Sequence, residues 1–378
     1  MKLGLCAILL NTFVLASLTV EPTSSESDLK NTGIDTKCSR ELEDIIDQLY
    51  KEAYTETYIK GKGLVVYEGG DSRNQQLASN ISFNTRFPGL NATFVVDLSK
   101  YHTIEINKQI KSNSLIPSVA NIQTIADIYD WKKEGLLLPF KPLCWENVYP
   151  ELKDPEYHFI SVTTFPFGPN ALRSTVESGE SPIEDEDFLN PKFKNRIVLT
   201  YPQDDDAVLF KFHKLVENNG WDYIYKLVAQ NVTWIRGTET PLHLIANGTI
   251  ENGVTFTSFN YLTPAPDSRV VIKIPEKSWF NINFQFAGIF KDAPNPAAAK
   301  LYIAWKLSEQ MQKSDIMSWP TRSDIPPKIH QKRLNEYPNS SITDYAKFML
   351  NREYMAELRA KFDEIIGPVK GDTPLNLV

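Results

Sequence analysis

The sequence predicts an α/β fold built as two units, on three observations. Short apolar runs that read as strands alternate with stretches of helical periodicity, first over residues 64–135 and again from residue 195. A long acidic, proline-marked stretch separates the two series. The chain has 378 residues, enough for about two domains of ~100–200 residues each.

The elements follow in order. Residues 1–20 read as a signal peptide: Lys2 is the positive end, residues 3–20 are mostly apolar, and Glu21-Pro22-Thr23 turns polar. Asn11, Thr12, Ser17 and Thr19 interrupt the apolar part, which argues for cleavage over a membrane anchor. Residues 21–37 are a flexible Ser/Thr/Asp-rich leader. Ser39 is placed to cap a helix whose apolar stripe is Leu42, Ile45, Ile46, Leu49 and Ala53. Leu64-Val-Val-Tyr67 is a buried strand that runs into the turn Glu68-Gly69-Gly70-Asp71, and residues 93–98 and 119–122 are two more strands. A helix closes at Gly135.

Residues 158–167 are strand-like until Pro166, Gly168 and Pro169 break the run, and Asn195-Arg-Ile-Val-Leu-Thr200 opens the second unit. Helices are expected over residues 206–217 and 221–230, and a third starts with Thr240 as cap and Pro241 as first helical residue. Residues 254–261 and 270–274 are strands. Asn295-Pro296 opens a helix, and residues 341–366 form a final helical region ending before Gly367-Pro368.

Composition narrows the function classes. Removing Lys2 with the signal takes the formal charge from −7 to −8, which argues against nucleic acid or an anionic membrane as partner. Five sequons, at Asn80, Asn91, Asn231, Asn247 and Asn339, support export through a eukaryotic secretory pathway as a glycoprotein. With Cys6 in the signal, Cys38 and Cys144 remain, either as one disulfide or as two separate buried thiols.

Several stretches resemble a known family. Phe87-Pro-Gly89, Trp131-Lys-Lys-Glu-Gly-Leu-Leu-Leu-Pro-Phe-Lys-Pro142, Asn190-Pro-Lys-Phe-Lys-Asn-Arg-Ile-Val-Leu199, Ala297-Ala-Ala-Lys-Leu301 with Leu307-Ser-Glu-Gln310, and Pro320-Thr-Arg322-Ser-Asp-Ile-Pro-Pro327 are similar to extracellular solute-binding proteins of bacterial ABC importers. These are type 2 periplasmic-binding-protein-like chains, and the subgroup is iron(III)-transport-like. Leu199-Thr-Tyr-Pro-Gln-Asp-Asp-Asp-Ala-Val208 and Ala229-Gln-Asn-Val-Thr-Trp-Ile-Arg-Gly-Thr-Glu-Thr-Pro241 look like a branch shared by bacterial and fungal secreted proteins.

The resemblance implies the periplasmic binding protein-like II fold: two α/β lobes, a hinge of two strand crossings and a ligand in the central cleft. It places the crossings near residues 163–167 and 256–261. Lobe one is then residues 38–167 with a return segment at 259–340, lobe two is residues 168–258, and residues 341–378 are a C-terminal helical region. A secreted, extracellular monomer without a membrane anchor is expected, whose partner is a small molecule or a metal. A cognate permease is implied by the family but not by a eukaryotic secreted chain, for which scavenging, sequestration or sensing are the corresponding roles.

Site candidates follow strand ends, where open α/β sheets bind ligands. Asp204, Asp205 and Asp206 sit between a strand and a helix; capping uses one of them, and a cleft-facing carboxylate would meet a cation or a hard metal. Arg236 and Thr238 precede a helix N-terminus and offer an anion a fork and backbone N–H groups, unless Arg236 instead pairs with one of the aspartates. Glu68, Asp71, Gln123, Thr124, Thr163 and Thr164 follow strands of lobe one or its crossing. Tyr261, with Tyr67 and Tyr201, would supply phenolate to iron(III). The family's adjacent Tyr-Tyr pair is missing and none of the five histidines has ligand spacing, so iron(III) or another metal stands beside a small polar solute as ligand.

The competing readings are a secreted enzyme, using the aspartates with His213 or His243 as acid–base groups, and a ligand-free interaction protein. No Gly-x-Ser-x-Gly elbow, phosphate-binding Gly-Lys-Ser/Thr loop or His-Glu-x-x-His supports catalysis.

Overall fold

A computed structural model describes residues 35–376 apart from 263, 315–317 and 329–330, so the signal segment, Cys6 and the leader up to residue 34 lie outside the described residues. Helix α1 (Thr36–Lys60) starts a turn earlier than Ser39 would set it. The Asp35 carboxylate accepts from the Cys38 N–H at 3.0 Å and is the cap, while the Ser39 hydroxyl is buried and accepts from Arg322. The last two leader residues, Thr36 and Lys37, are therefore helical. Leu42, Ile46, Leu49 and Ala53 form the buried stripe, and Gly61, at φ +63°, ends the helix. Cys38 is bridged to Cys144, with Cα atoms 5.7 Å apart.

Strands β1 (Val65–Gly69), β2 (Thr93–Asp97) and β3 (Val119–Ile122) are parallel, and each leads into a helix: α2 (Leu77–Arg86), α3 (Ser99–Lys111) and α4 (Ile125–Lys133). Their sheet continues through β9 (Asn281–Ile289) and β4 (Phe159–Leu172) to β7 (Val254–Phe259), in the order β2-β1-β3-β9-β4-β7, with β8 (Val270–Ile272) also on β4. The second unit adds the parallel pair β5 (Val198–Thr200) and β6 (Thr233–Ile235), joined to β7 by a bridge between Ile197 and Val254. Helices α5 (Arg173–Glu177), α6 (Asp206–Val228) and α7 (Thr240–Ala246) complete it. Gly220, at φ +74°, divides α6 into the two helices the sequence predicts. Glu239, not Thr240, precedes α7, and its side chain makes no capping bond.

Two strands tie the units together. The fourteen residues of β4 pair with β9 over Phe159–Phe167 and with β7 and β8 beyond. The second tie is β9, which pairs with both β3 and β4. This corrects the expected return crossing near residues 256–261: β7 stays in the second unit, and the chain comes back some twenty residues later. The sequence reading missed β9 altogether. Asn281, Asn283 and Gln285 interrupt its apolar run, and amides inside a central strand run against β preference. They alternate with Ile282, Phe284 and Phe286, so the amides share one face with Thr163, Phe165 and Phe167 opposite them on β4.

After β9 come α8 (Pro296–Lys306), α9 (Glu309–Lys313), α10 (Ile342–Leu350) and α11 (Arg352–Ile366). The final helical region is thus two helices, because the Asn351 side chain caps a new start by accepting from the Tyr354 N–H. Phe348 and Phe362 pack on Phe210 and Phe212 of α6, while Arg352 pairs with Asp127 and Asp130 of α4. Among the described residues no helix is long and apolar enough to cross a membrane.

Candidate functional site

Five parallel strands end at one place. Asp71 follows β1, Lys100 and Tyr101 follow β2, and Gln123 follows β3; facing them, Asp204 and Asp205 follow β5, and Arg236 and Thr238 follow β6. The backbone is cramped here. A Cβ on Gly69 would lie 2.2 Å from the Ser99 Oγ, and Gly237, at φ +79°, has Pro374 against the Cβ position.

One corner is a closed ion-pair network. The Arg236 fork donates to Asp204 from Nε at 2.8 Å and Nη2 at 3.2 Å, and Lys100 Nζ donates to the same carboxylate at 2.8 Å from the other unit. Lys100 also reaches the Asp204 main-chain oxygen, and Tyr101 Oη accepts from Arg236. Burial opposes ionisation of Asp204, but the hydrogen bonds from Arg236 and Lys100 outweigh it and hold the carboxyl below its ordinary value. Arg236 is therefore paired with an aspartate of the triplet, the alternative to anion binding that the sequence left open.

The adjoining corner is unlike it. The Asp71 carboxylate accepts from both the N–H and the hydroxyl of Thr238 across the units, at 2.5 Å each. Asp205 caps α6, accepting from the Val208 N–H at 2.9 Å, and Gln123 Nε2 stands 3.5 Å from each of its oxygens. Burial, then the negative charge of Asp71, pushes Asp205 up to about 7. Burial also raises Asp71, against the two Thr238 hydrogen bonds. Asp206 turns away to Arg359 on α11.

Below both corners lies the amide face of β9. Asn281 Nδ2 donates to the Ala207 carbonyl at 2.8 Å, and Gln285 Nε2 donates to the Gly69 carbonyl at 2.9 Å. Asn283, between them, is 0% exposed, and neither atom of its amide has a hydrogen-bond partner among the described residues. Asn281 Oδ1 and Gln285 Oε1 are also buried without one. The segment after α11 crosses this region: Gln203 donates to the Gly367 carbonyl, Arg236 to that of Gly371 and Arg73 to that of Leu375.

Of the predicted residues, Asp71, Gln123, Asp204, Asp205, Arg236 and Thr238 come together. Glu68 does not: its side chain points into the core, where Tyr302 donates at 2.6 Å and Asn121 at 2.7 Å. Thr164 is likewise buried, bonded to the Trp319 backbone. Strand geometry decides both, because successive side chains take opposite faces. Thr163 faces Gln285 across the β4–β9 pair, and Thr124 lies 3.2 Å from the Thr103 hydroxyl at the start of α4. Tyr261 is 43% exposed beyond β7, with its ring edge on Phe259. Tyr67 is bonded to Gln109 and Tyr201 stacks on Trp234. The residues missed are Lys100, Tyr101 and the β9 amides; the signals were a strand end before Ser99 and an Asn-x-Asn-x-Gln alternation.

Other candidate chemistry is already engaged. Among the described residues, Asp154, Glu156 and His158 are the group of three close enough to hold a metal, and the Lys132 ammonium sits on two of them, at 2.6 and 2.7 Å. His213 stacks on Phe348 in the α6–α10 interface, and His243 contacts Glu239 on α7.

No family model matches the chain, and neither does any curated protein. Solved structures do match. A substrate-binding protein of an ABC transporter from Agrobacterium tumefaciens aligns with a TM-score of 0.68 at 12% identity, over 81% of this chain and 94% of its own. The AfuA periplasmic binding protein of Actinobacillus pleuropneumoniae, with fructose-6-phosphate bound, gives 0.63 at 19% identity over 81% and 98%. Iron-bound HitA from Pseudomonas aeruginosa gives 0.61 at 15% identity over 80% and 99%. The chain has the two-lobed fold of these periplasmic binding proteins, with β4 and β9 as the strands that connect its units.

Proposed function

We propose that this protein is a secreted solute-binding protein that captures a small polar or charged ligand between its lobes. The observation that carries this reading is the meeting of strand-end loops from both units at one cleft, since that is where the fold binds ligands. On this reading lobe one is residues 38–167 together with the return from β9 to residue 340, lobe two is residues 168–280, and residues 341–378 are a C-terminal helical region whose helices pack on α6. Asp71 and Gln123 contact the ligand from one side and Asp205 and Thr238 from the other, with the β9 amides as floor, while Lys100, Asp204 and Arg236 latch the lobes beside them. Hinge closure then joins the two sets, through the direct Asp71–Thr238 and Lys100–Asp204 contacts seen here.

Secretion agrees with the surface. Asn91, Asn231 and Asn247 are exposed, Asn231 with one bond to the Asn195 side chain, whereas Asn339 is half-buried and its Nδ2 donates to the carbonyls of Pro275 and Ser278. Peptide mapping after deglycosylation is expected to find the first three sites occupied and Asn339 unmodified. Native mass spectrometry of the secreted, deglycosylated protein tests the function itself. A co-purified mass that is lost on denaturation and absent from an Arg236→Ala, Asp205→Asn double variant is the expected result. An unaltered mass in that variant would move the site elsewhere.

A further inference from the structure

We propose that the cleft takes an organic ammonium, a small solute carrying a primary amine beside a hydrogen-bonding oxygen, with the amine between Asp71 and Asp205 and the oxygen on Asn283. The proposal rests on reading the cleft as a ligand site and adds the class of ligand.

Charge comes first. Of the carboxylates at the cleft, Asp204 is neutralised by Arg236 and Lys100, Asp206 by Arg359, and Glu239 faces His243. Asp71 and Asp205 receive only neutral donors: Thr238 on the first, the Val208 N–H and Gln123 on the second. The cation that acts on Asp205, Lys100, is already bonded to Asp204. Two like charges approaching from opposite lobes in a low-dielectric setting disfavour closure, and a cation between them reverses the sign. An anionic ligand would meet both carboxylates with the site's cations already used.

Asn283 is the second, independent observation. Its neighbours on the same strand face fix where its amide lies. Asn281 reaches the carbonyl of Ala207, two residues past Asp205, and Gln285 reaches that of Gly69, two residues before Asp71. Asn283 therefore lies on the same strand face between those two contacts, fully buried, with its donor and its acceptor both unpartnered among the described residues. A buried amide left so is destabilising until something answers it. A metal ion would answer the oxygen but not the NH2. A hard cation such as calcium also wants about six to eight oxygen ligands, and Asp71 Oδ2 already accepts twice from Thr238. A solute with an ammonium and an adjacent hydroxyl or carbonyl answers both carboxylates and both ends of the amide.

The test is calorimetric titration of the full secreted protein with glucosamine and ethanolamine. Glucose and ethylene glycol serve as their amine-free counterparts, and calcium, iron(III) citrate and inorganic phosphate are further arms. The expected result is that at least one amine binds about ten- to a hundred-fold more tightly than its counterpart, the value of a charge-assisted contact. That preference is lost in Asp205→Asn and in Asp71→Asn, while both variants melt no lower than wild type. The affinity also falls as pH drops below about 7, as Asp205 takes up a proton amid Asp71, Asp206, Lys100 and Tyr345. Equal binding of amine and counterpart, an unaltered affinity in Asp205→Asn, or no binding of either amine overturns the proposal. Binding of phosphate or of a metal without an amine overturns it while leaving the solute-binding reading intact. Silence of every probe, with no co-purified mass, removes both.

Discussion

Asp204 and Asp205 are adjacent in the chain and opposite in chemistry. Asp204 enters a corner in which every charge is answered: a guanidinium fork from its own lobe, an ammonium from the other, and a carboxyl held below its ordinary value. Asp205 enters a corner where a second carboxylate faces it, the donors are neutral and the floor is an amide without partners, so its proton is retained up to about 7. Both corners span the lobes and both are polar. Polarity alone does not separate a structural latch from a candidate site; unanswered polarity does. Glu68 makes the same point from the core, since its buried carboxylate is met by Tyr302 and Asn121.

Breaking the answered corner has the largest expected effect. Asp204→Ala leaves Arg236 and Lys100 facing each other with their common partner gone, and should cost about 2 kcal/mol in urea denaturation, below the figure for fully buried pairs because Lys100 is partly exposed. In the other corner the sign reverses. Asp205→Asn keeps the helix cap, since asparagine caps as well as aspartate, and removes a buried like charge, so it should raise stability near pH 7.5 by about 1 kcal/mol. A loss of stability in Asp205→Asn would erase the contrast.

The pH dependence sharpens it further. Asp205 is raised in the folded state, so between about pH 4 and pH 7 the native protein binds the extra proton and stability falls with rising pH. The gain of Asp205→Asn over wild type should therefore be absent near pH 4 and reach its full size above about pH 7. Asp204 is depressed, and its contribution runs the other way: present above the unfolded carboxyl value and lost on acidification through the folded one. The smallest effect is that of Asn283→Leu. Its removal of an amide with no partner should leave the thermal midpoint unchanged or slightly raised, while any ligand preference disappears.

Much of the candidate site was legible because it sits where parallel strands end. Asp71, Gln123, Asp204, Asp205, Arg236 and Thr238 each follow an apolar run that the sequence marks as a strand, and the fold brings such ends together. Facing was less legible than position. Glu68 lies near the end of β1 and Asp71 three residues on, yet one is drawn into the core and the other into the cleft, a choice set by side-chain alternation and by Tyr302, more than two hundred residues away. The connecting strand β9 stayed hidden because the amides that make its floor also erase its apolar signature. With β9 unseen, the return crossing was placed two strands too early, on residues 256–261.

The bridge between Cys38 and Cys144 spans 106 residues, and that interval contains β1, β2 and β3 with the loops that carry Asp71, Lys100 and Gln123. Asp204, Arg236 and all of β9 lie outside it. On the proposed secretory route, the ring can close as soon as residue 144 has arrived, while the partner half of the cleft is still untranslated. One wall is then covalently circular before the other exists. A protease cut inside the ring leaves its pieces joined, whereas a cut in the second lobe has no such retainer.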